Sequence, residues 1–207
     1  MKTRRGPIPP ILLLLSLCMF IPAPARAGIP TDQVRATVEQ LTEVLKNPRL
    51  KDQTRRTERR NQLRKIISAR FDFAEMAKRS LGAHWRSLSP KQQEEFINVF
   101  TDLLERAYLD RMESYNDERF TYLRERLDGN FAEVESRIAT RRGEEYSLNY
   151  KLFLVDGEWR VYDLTIENVS LVNNYRSQFN RILARSPYEE LVRRMKEKQI
   201  ESPGEGK

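Results

Sequence analysis

The sequence predicts an α+β fold, with several helices packed on one face of a curved four-stranded antiparallel sheet in a single domain. Three observations predict it. Apolar residues recur at three and four positions up to about Tyr115 and again beyond Ser170, which is the period of a half-buried helix. Between Glu118 and Val169 the period falls to two, as in a half-buried strand. That middle block is cut by Asp128-Gly129-Asn130, Arg142-Gly143-Glu144 and Asp156-Gly157, short turn signals that join neighbouring strands antiparallel. The result is a meander whose apolar face needs a cover, and the preceding helices supply it.

The chain opens on a targeting pattern. Lys2, Arg4 and Arg5 precede an apolar run of eleven residues, Ile11 to Ile21, which is too short to span a bilayer. The run ends near Ala25-Arg26-Ala27, with small residues where a signal peptidase reads. Residues 1–27 are therefore read as a cleaved export signal. Leu17 before Cys18 argues against lipidation at the chain's one cysteine. Removing the signal takes away four cations and no acids, so the net charge falls from +7 to +3. The remaining 180 residues hold no cysteine and must fold on their core alone.

The helices follow in order. TDQVRATVEQLTEVLKN places Val34, Val38, Leu41 and Leu45 on one face, with Thr31 or Asp32 as N-cap. RRTERRNQLRKIISARF turns core-facing at Leu63, Ile66 and Ile67. FDFAEMAKRSLG begins with an Asp72–Glu75 capping box and stops at Gly82. Ser89-Pro90-Lys91-Gln92 starts the longest helix, about 25 residues, whose stripe runs through Phe96, Phe100, Leu104 and Tyr108 towards Tyr115. After the sheet, Ser170 caps a helix bearing Leu171, Tyr175 and Phe179. Ser186-Pro187 opens a last one with Leu191, Val192 and Met195. The domain is bounded at 28–198, with 199–207 read as a disordered tail.

Catalytic chemistry has little to work with. His84 is the single histidine, in a short link between helices, and no HExxH, P-loop or GxSxG motif occurs. Glu94-Glu95 and Glu144-Glu145 are sequence neighbours that diverge on an element, and read as solvated charge. The cations of Arg55–Arg60 and Arg141-Arg142 read as a solvated helix face and a hairpin tip, with a partner surface or an anionic headgroup contact as the alternative. No aromatic residue interleaves the first cluster, which with the export signal argues against nucleic acid. The residues themselves thus describe an exported binding domain.

Two long segments narrow this further. FDFAEMAKRSLGAHWRSLSPKQQEEFINVFTDLLERAYLDRMESY and GEWRVYDLTIENVSLVNNYRSQFNRIL resemble the MlaC family of periplasmic phospholipid-binding proteins, also called toluene-tolerance auxiliary proteins. The similarity runs from about Gln33 to Leu191. It implies helices wrapped on a bent sheet, with acyl chains held between the two layers and the headgroup near solvent. It also implies a monomeric periplasmic carrier, not an enzyme, with no cofactor and phospholipid as its cargo. Its implied partners are an inner-membrane ABC transporter complex and an outer-membrane lipoprotein–porin complex, in the maintenance of outer-membrane lipid asymmetry. Facing and family position together mark Phe73, Met76, Phe100, Leu104, Tyr108, Tyr150, Leu152, Val161, Val169 and Tyr175 as tail-lining. They place Asn174-Tyr175-Arg176 near the seam, bracing backbone or meeting a headgroup. Met76, Met112 and Met195 would lend the wall flexibility. Val161→Glu or Leu152→Arg is expected to abolish lipid retention if either lines the cavity. A hopanoid-associated carrier of the same family and a small exported hydrolase are the rival readings.

Overall fold

The computed structural model describes residues 29–115, 117–197 and 199–201. The segment read as an export signal and the end of the tail lie outside the described residues. Helix α1 (Pro30–Lys46) begins one residue before the expected caps, because Pro30 presets the backbone at the first helical position. Its first turn is held from a distance: the backbone N–H and hydroxyl of Thr31 both donate to Glu125 Oε2, at 2.8 and 2.5 Å. Two 3₁₀ turns lead to α2 (Arg56–Arg70).

The next helices form as their caps dictate. In α3 (Phe73–Leu81), Asp72 Oδ1 accepts from the Glu75 N–H at 2.8 Å, and Gly82 ends the helix at φ 57°, a conformation that favours glycine. In α4 (Pro90–Glu113), the Ser89 N–H donates to Gln92 Oε1 at 3.0 Å and the Gln92 N–H returns to Ser89 Oγ at 3.3 Å. At α5 (Leu171–Leu183), Ser170 Oγ accepts from the Asn173 N–H at 3.1 Å and donates to Asp163 Oδ2 at 2.7 Å. The buried Asp163 also accepts from the Val172 N–H at 3.1 Å, so a carboxylate faces the positive end of this helix. Helix α6 (Tyr188–Lys196) follows Pro187.

The sheet runs in sequence order through β1 (Arg119–Asp128), β2 (Phe131–Ala139), β3 (Glu145–Val155), β4 (Glu158–Ile166) and β5 (Val169–Ser170). Five strands replace the expected four. The last expected strand breaks at Glu167 and Asn168, both at positive φ, which fold a tight turn and leave a two-residue fifth strand. Two bulges bend the sheet. Leu123 has no partner between Tyr122 and Arg124, and Tyr162 none between Val161 and Asp163. The second bulge shifts the alternation, so that Val161 faces in on one side of it and Leu164 and Ile166 face in on the other.

Three solid clusters form, two among the helices and one between α1 and the sheet. The largest joins α3, α4, α5 and α6 around Phe96, Phe100, Tyr175 and Phe179, whose ring centroids lie 5.6–6.1 Å apart. The second lies under α1, where Val34 meets Val134, Leu152, Trp159 and Val161 of the sheet. The third joins Leu45, Leu63 and Leu109 of α1, α2 and α4. The tail expected to be disordered from residue 199 is ordered at its start. Ile200 is buried in the aromatic cluster, and Glu201 exchanges hydrogen bonds with the Gln178 side chain at 2.8 and 3.2 Å. An apolar side chain just past the helix found a place in the core.

Candidate functional site

The space enclosed by these three clusters is not filled. A cavity of about 750 Å³ lies between α1, α2, α4 and the inner face of the sheet. Helix α1 contributes Val38 and Leu41 to its wall, α2 contributes Ile67, and α4 contributes Leu104, Tyr108 and Met112. The sheet adds Ile138, Leu148, Tyr150, Leu164 and Ile166, and Phe71, Phe73, Met76 and Leu171 close one end. The clusters act as spacers: α4 is anchored to the aromatic core at its start and to α1 and α2 near its end.

Polar groups gather at the margins. Arg64, Ser68 and Glu105 line the side between α2 and α4, where Arg64 Nε donates to Glu105 Oε2 at 2.7 Å. Arg111, Ser114 and Thr140 line the end beside the β2–β3 hairpin. Arg70 joins three elements: it donates to Gln33 Oε1 at 2.5 Å, to the Trp159 carbonyl at 2.6 Å and to Thr37 Oγ1 at 3.2 Å. Burial raises the Tyr150 phenol well above the ordinary tyrosine value, so the hydroxyl is neutral at any physiological pH. Among the described residues no three His, Cys, Asp or Glu side chains are grouped as a metal site would need. Glu105 and Glu118 are the carboxylates of the described wall, and His84 does not line it. A wall of this kind has the apolar character that suits hydrocarbon.

The arginine-rich start of α2 has a structural task. Arg60, Arg59 and Arg56 converge on Glu113 at the end of α4, at 2.7, 2.9 and 3.1 Å. The Glu113 side chain is only 7% exposed. Burial by itself would raise its pKa, but the hydrogen bonds from Arg60, Arg59 and Arg56 outweigh that and hold it at about 2. The clasp ties α2 to α4 beside the cavity.

Of the ten residues marked from sequence, the structure brings Phe73, Met76, Leu104, Tyr108 and Tyr150 together on the cavity wall. The other five stand elsewhere. Phe100 and Tyr175 are fully buried against each other in the aromatic cluster. Leu152 and Val161 pair across β3 and β4 and are sealed under α1. Val169 sits in the short β5 and is 43% exposed. Val161→Glu and Leu152→Arg would therefore place charge in solid core and test folding rather than the wall. Met112 joins Met76 on the wall, whereas Met195 is core. Arg176 braces backbone: its Nε donates to the Arg79 carbonyl at 2.8 Å, and Asn174 accepts from Gln178. The face of α1, Leu148, Leu164 and Ile166 were missed as wall residues. Their spacing is that of ordinary core, and the bulge that turns Leu164 inward shows in the sequence only as a change of phase between Val161 and Leu164.

Comparison with known proteins bears on this geometry. A chain from Ralstonia solanacearum, described as a phospholipid-binding protein in complex with a phospholipid, shares the fold with a TM-score of 0.74 at 24% identity, over 82% of this chain and 96% of that one. The intermembrane phospholipid transport system binding protein MlaC of Haemophilus influenzae is 26% identical over 122 residues, 56% of this chain and 57% of that protein's length. The toluene tolerance protein ttg2D of Pseudomonas putida is 24% identical over 169 residues, 81% of this chain and 79% of that protein. The family model described as MlaC protein matches residues 35–197, which run from α1 through the sheet to the end of α6. The chain belongs to the MlaC family.

Proposed function

We propose that this protein is a periplasmic phospholipid carrier, which holds acyl chains in the cavity and moves lipid between outer- and inner-membrane complexes. The observation that carries the reading is the cavity itself: about 750 Å³ of space, open on one side, with an apolar wall and polar margins, in a protein of the MlaC family. The wall has the chemistry of hydrocarbon, and the margins suit a headgroup left near water. Each buried methylene contributes about 0.8 kcal/mol, so two long chains gain on the order of 20 kcal/mol over water. Release into bulk water is then negligible, and transfer requires an acceptor that offers an apolar path at the mouth.

No helix among the described residues is long and apolar enough to cross a membrane, which suits a carrier that leaves the bilayer. An inner-membrane ABC transporter complex and an outer-membrane lipoprotein–porin complex are the proposed partners. The test is organic extraction and mass spectrometry of the mature protein purified from its own periplasm. Diacyl phospholipid near one molecule per chain is expected. A triterpenoid in its place moves the cargo to the hopanoid class, and a protein that neither carries nor takes up lipid ends the carrier reading.

A further inference from the structure

Two buried side chains of the cavity wall also belong to the aromatic cluster. Met76 and Leu104 face the hollow, and they pack into the aromatic cluster with Phe100 and Tyr175. They are 1% and 5% exposed. The partition between hollow and core is therefore one side chain thick at this end. Behind it nothing yields easily: Phe100 meets Tyr175 edge-on at 5.6 Å and Phe179 at 6.1 Å, and all three are fully buried.

Among the charged groups of the wall, Arg70 comes one residue before Phe71 at this end, but its guanidinium is committed to Gln33, Thr37 and the Trp159 carbonyl, and Glu118 follows the end of α4. Arg64 and Glu105 stand where α2 meets α4, Arg111 lies two turns along α4 from Leu104, and the neighbours of Met76 here are Phe73 and Leu171. A lipid whose charged headgroup stays at the polar margin must send its chain ends towards the apolar end, because burying the charge instead would be far more costly.

We infer that Met76 and Leu104 form the stop that sets the longest acyl chain this protein accepts. The inference rests on the carrier reading. A close-packed ring cluster behind the stop converts a small change in these side chains into a change in usable depth. The unbranched thioether of Met76 gives the stop some adaptability, so the limit is a sloping edge rather than a step.

The experiment is native mass spectrometry of delipidated protein incubated with vesicles of saturated diacyl phosphatidylcholines in a chain-length series. Met76→Ala is expected to move the upper limit up by about two to three carbons, the depth of the atoms removed. Met76→Phe is expected to lower it. Leu41→Ala enlarges the hollow on the α1 side and is expected to leave the limit where it was. Should Met76→Ala not fold, Met76→Leu keeps the volume but stiffens the wall, and is expected to sharpen the cut-off. Unchanged limits in the Met76 variants, or an equal shift in Leu41→Ala, overturn the stop while lipid uptake by the unmodified protein leaves the carrier reading standing. An unmodified protein that takes up none of the series overturns the carrier reading instead.

Discussion

The two halves of helix α4 teach the main lesson of this molecule. Phe96, Val99 and Phe100 of its first half are sunk in a solid cluster with α3, α5 and α6. Tyr108 and Met112 of its second half face a hollow. Both halves carry the same kind of side chain at the same spacing. The first half meets three helices close enough to interdigitate. The second is held off the sheet by the Leu45–Leu63–Leu109 cluster and the Glu113 clasp. Apolar residues fill space where neighbours can reach them and line space where a brace prevents collapse. The solid half should govern stability and the braced half should govern cargo.

The largest expected effect comes from breaking the solid half. Phe100→Ala removes a ring with no route for collapse and should cost about 3–5 kcal/mol, read as a lower urea midpoint. Lipid bound before denaturation should still be detected in the folded fraction. Removing the cargo tests the other half. A ligand held at a hundred times its Kd stabilises by about 2.7 kcal/mol, so delipidation should lower the melting temperature by roughly 5–10 °C. Hydrogen exchange should then rise in α1 and α2 more than in α5. A uniform rise would show that the two halves are one cooperative unit.

The clasp gives a smaller, pH-dependent effect. Glu113 has a folded pKa of about 2 against an ordinary value of 4.5. A depressed folded pKa means that its contribution is fully present above about pH 4.5 and is lost as pH falls through 2. Solvent reaches Arg56, which is 47% exposed, so screening leaves about 1–2 kcal/mol at neutral pH. Glu113→Gln should lower stability by that amount at pH 7 and flatten its decline between pH 4.5 and 2, measured by urea unfolding at each pH. An unaltered decline would assign the acid sensitivity to other carboxylates. The smallest effect is expected at Tyr150→Phe. It removes a hydroxyl from the wall without changing its shape, and should shift stability by less than about 1 kcal/mol while leaving lipid retention intact.

How far the residues foretold this varies by element. The Ser89–Gln92 box, the Gly82 stop and the Ser170 cap formed as written, because each is a local hydrogen-bond choice within four residues. The Asp72–Glu75 box formed only its Asp72 half, since the Asp72 N–H donates to the Val161 carbonyl and the Glu75 carboxylate pairs with Arg79. The strand order followed from short turns. The break at Glu167-Asn168 was not legible, since neither residue demands positive φ. In the site, Met76 and Tyr108 stand on the cavity wall and Phe100 and Tyr175 in the aromatic cluster, although all four sit on apolar helix faces. The RRTERR segment looked like solvated charge because its partner, Glu113, lies more than fifty residues along the chain.

The sequence by itself determined the main helices and strands, their antiparallel order, the apolar character of each face and, through two long ordered motifs, the family. Those are matters of period, local hydrogen bonding and turn chemistry, which act over a few residues. Only the tertiary structure decided which apolar faces met and which stood apart. Hydrophobic burial has no direction, so an apolar stripe carries no instruction to fill a space or to line one. The bulge at Tyr162, the clasp on Glu113 and the interlocked rings behind Met76 supply that instruction through the distances they impose.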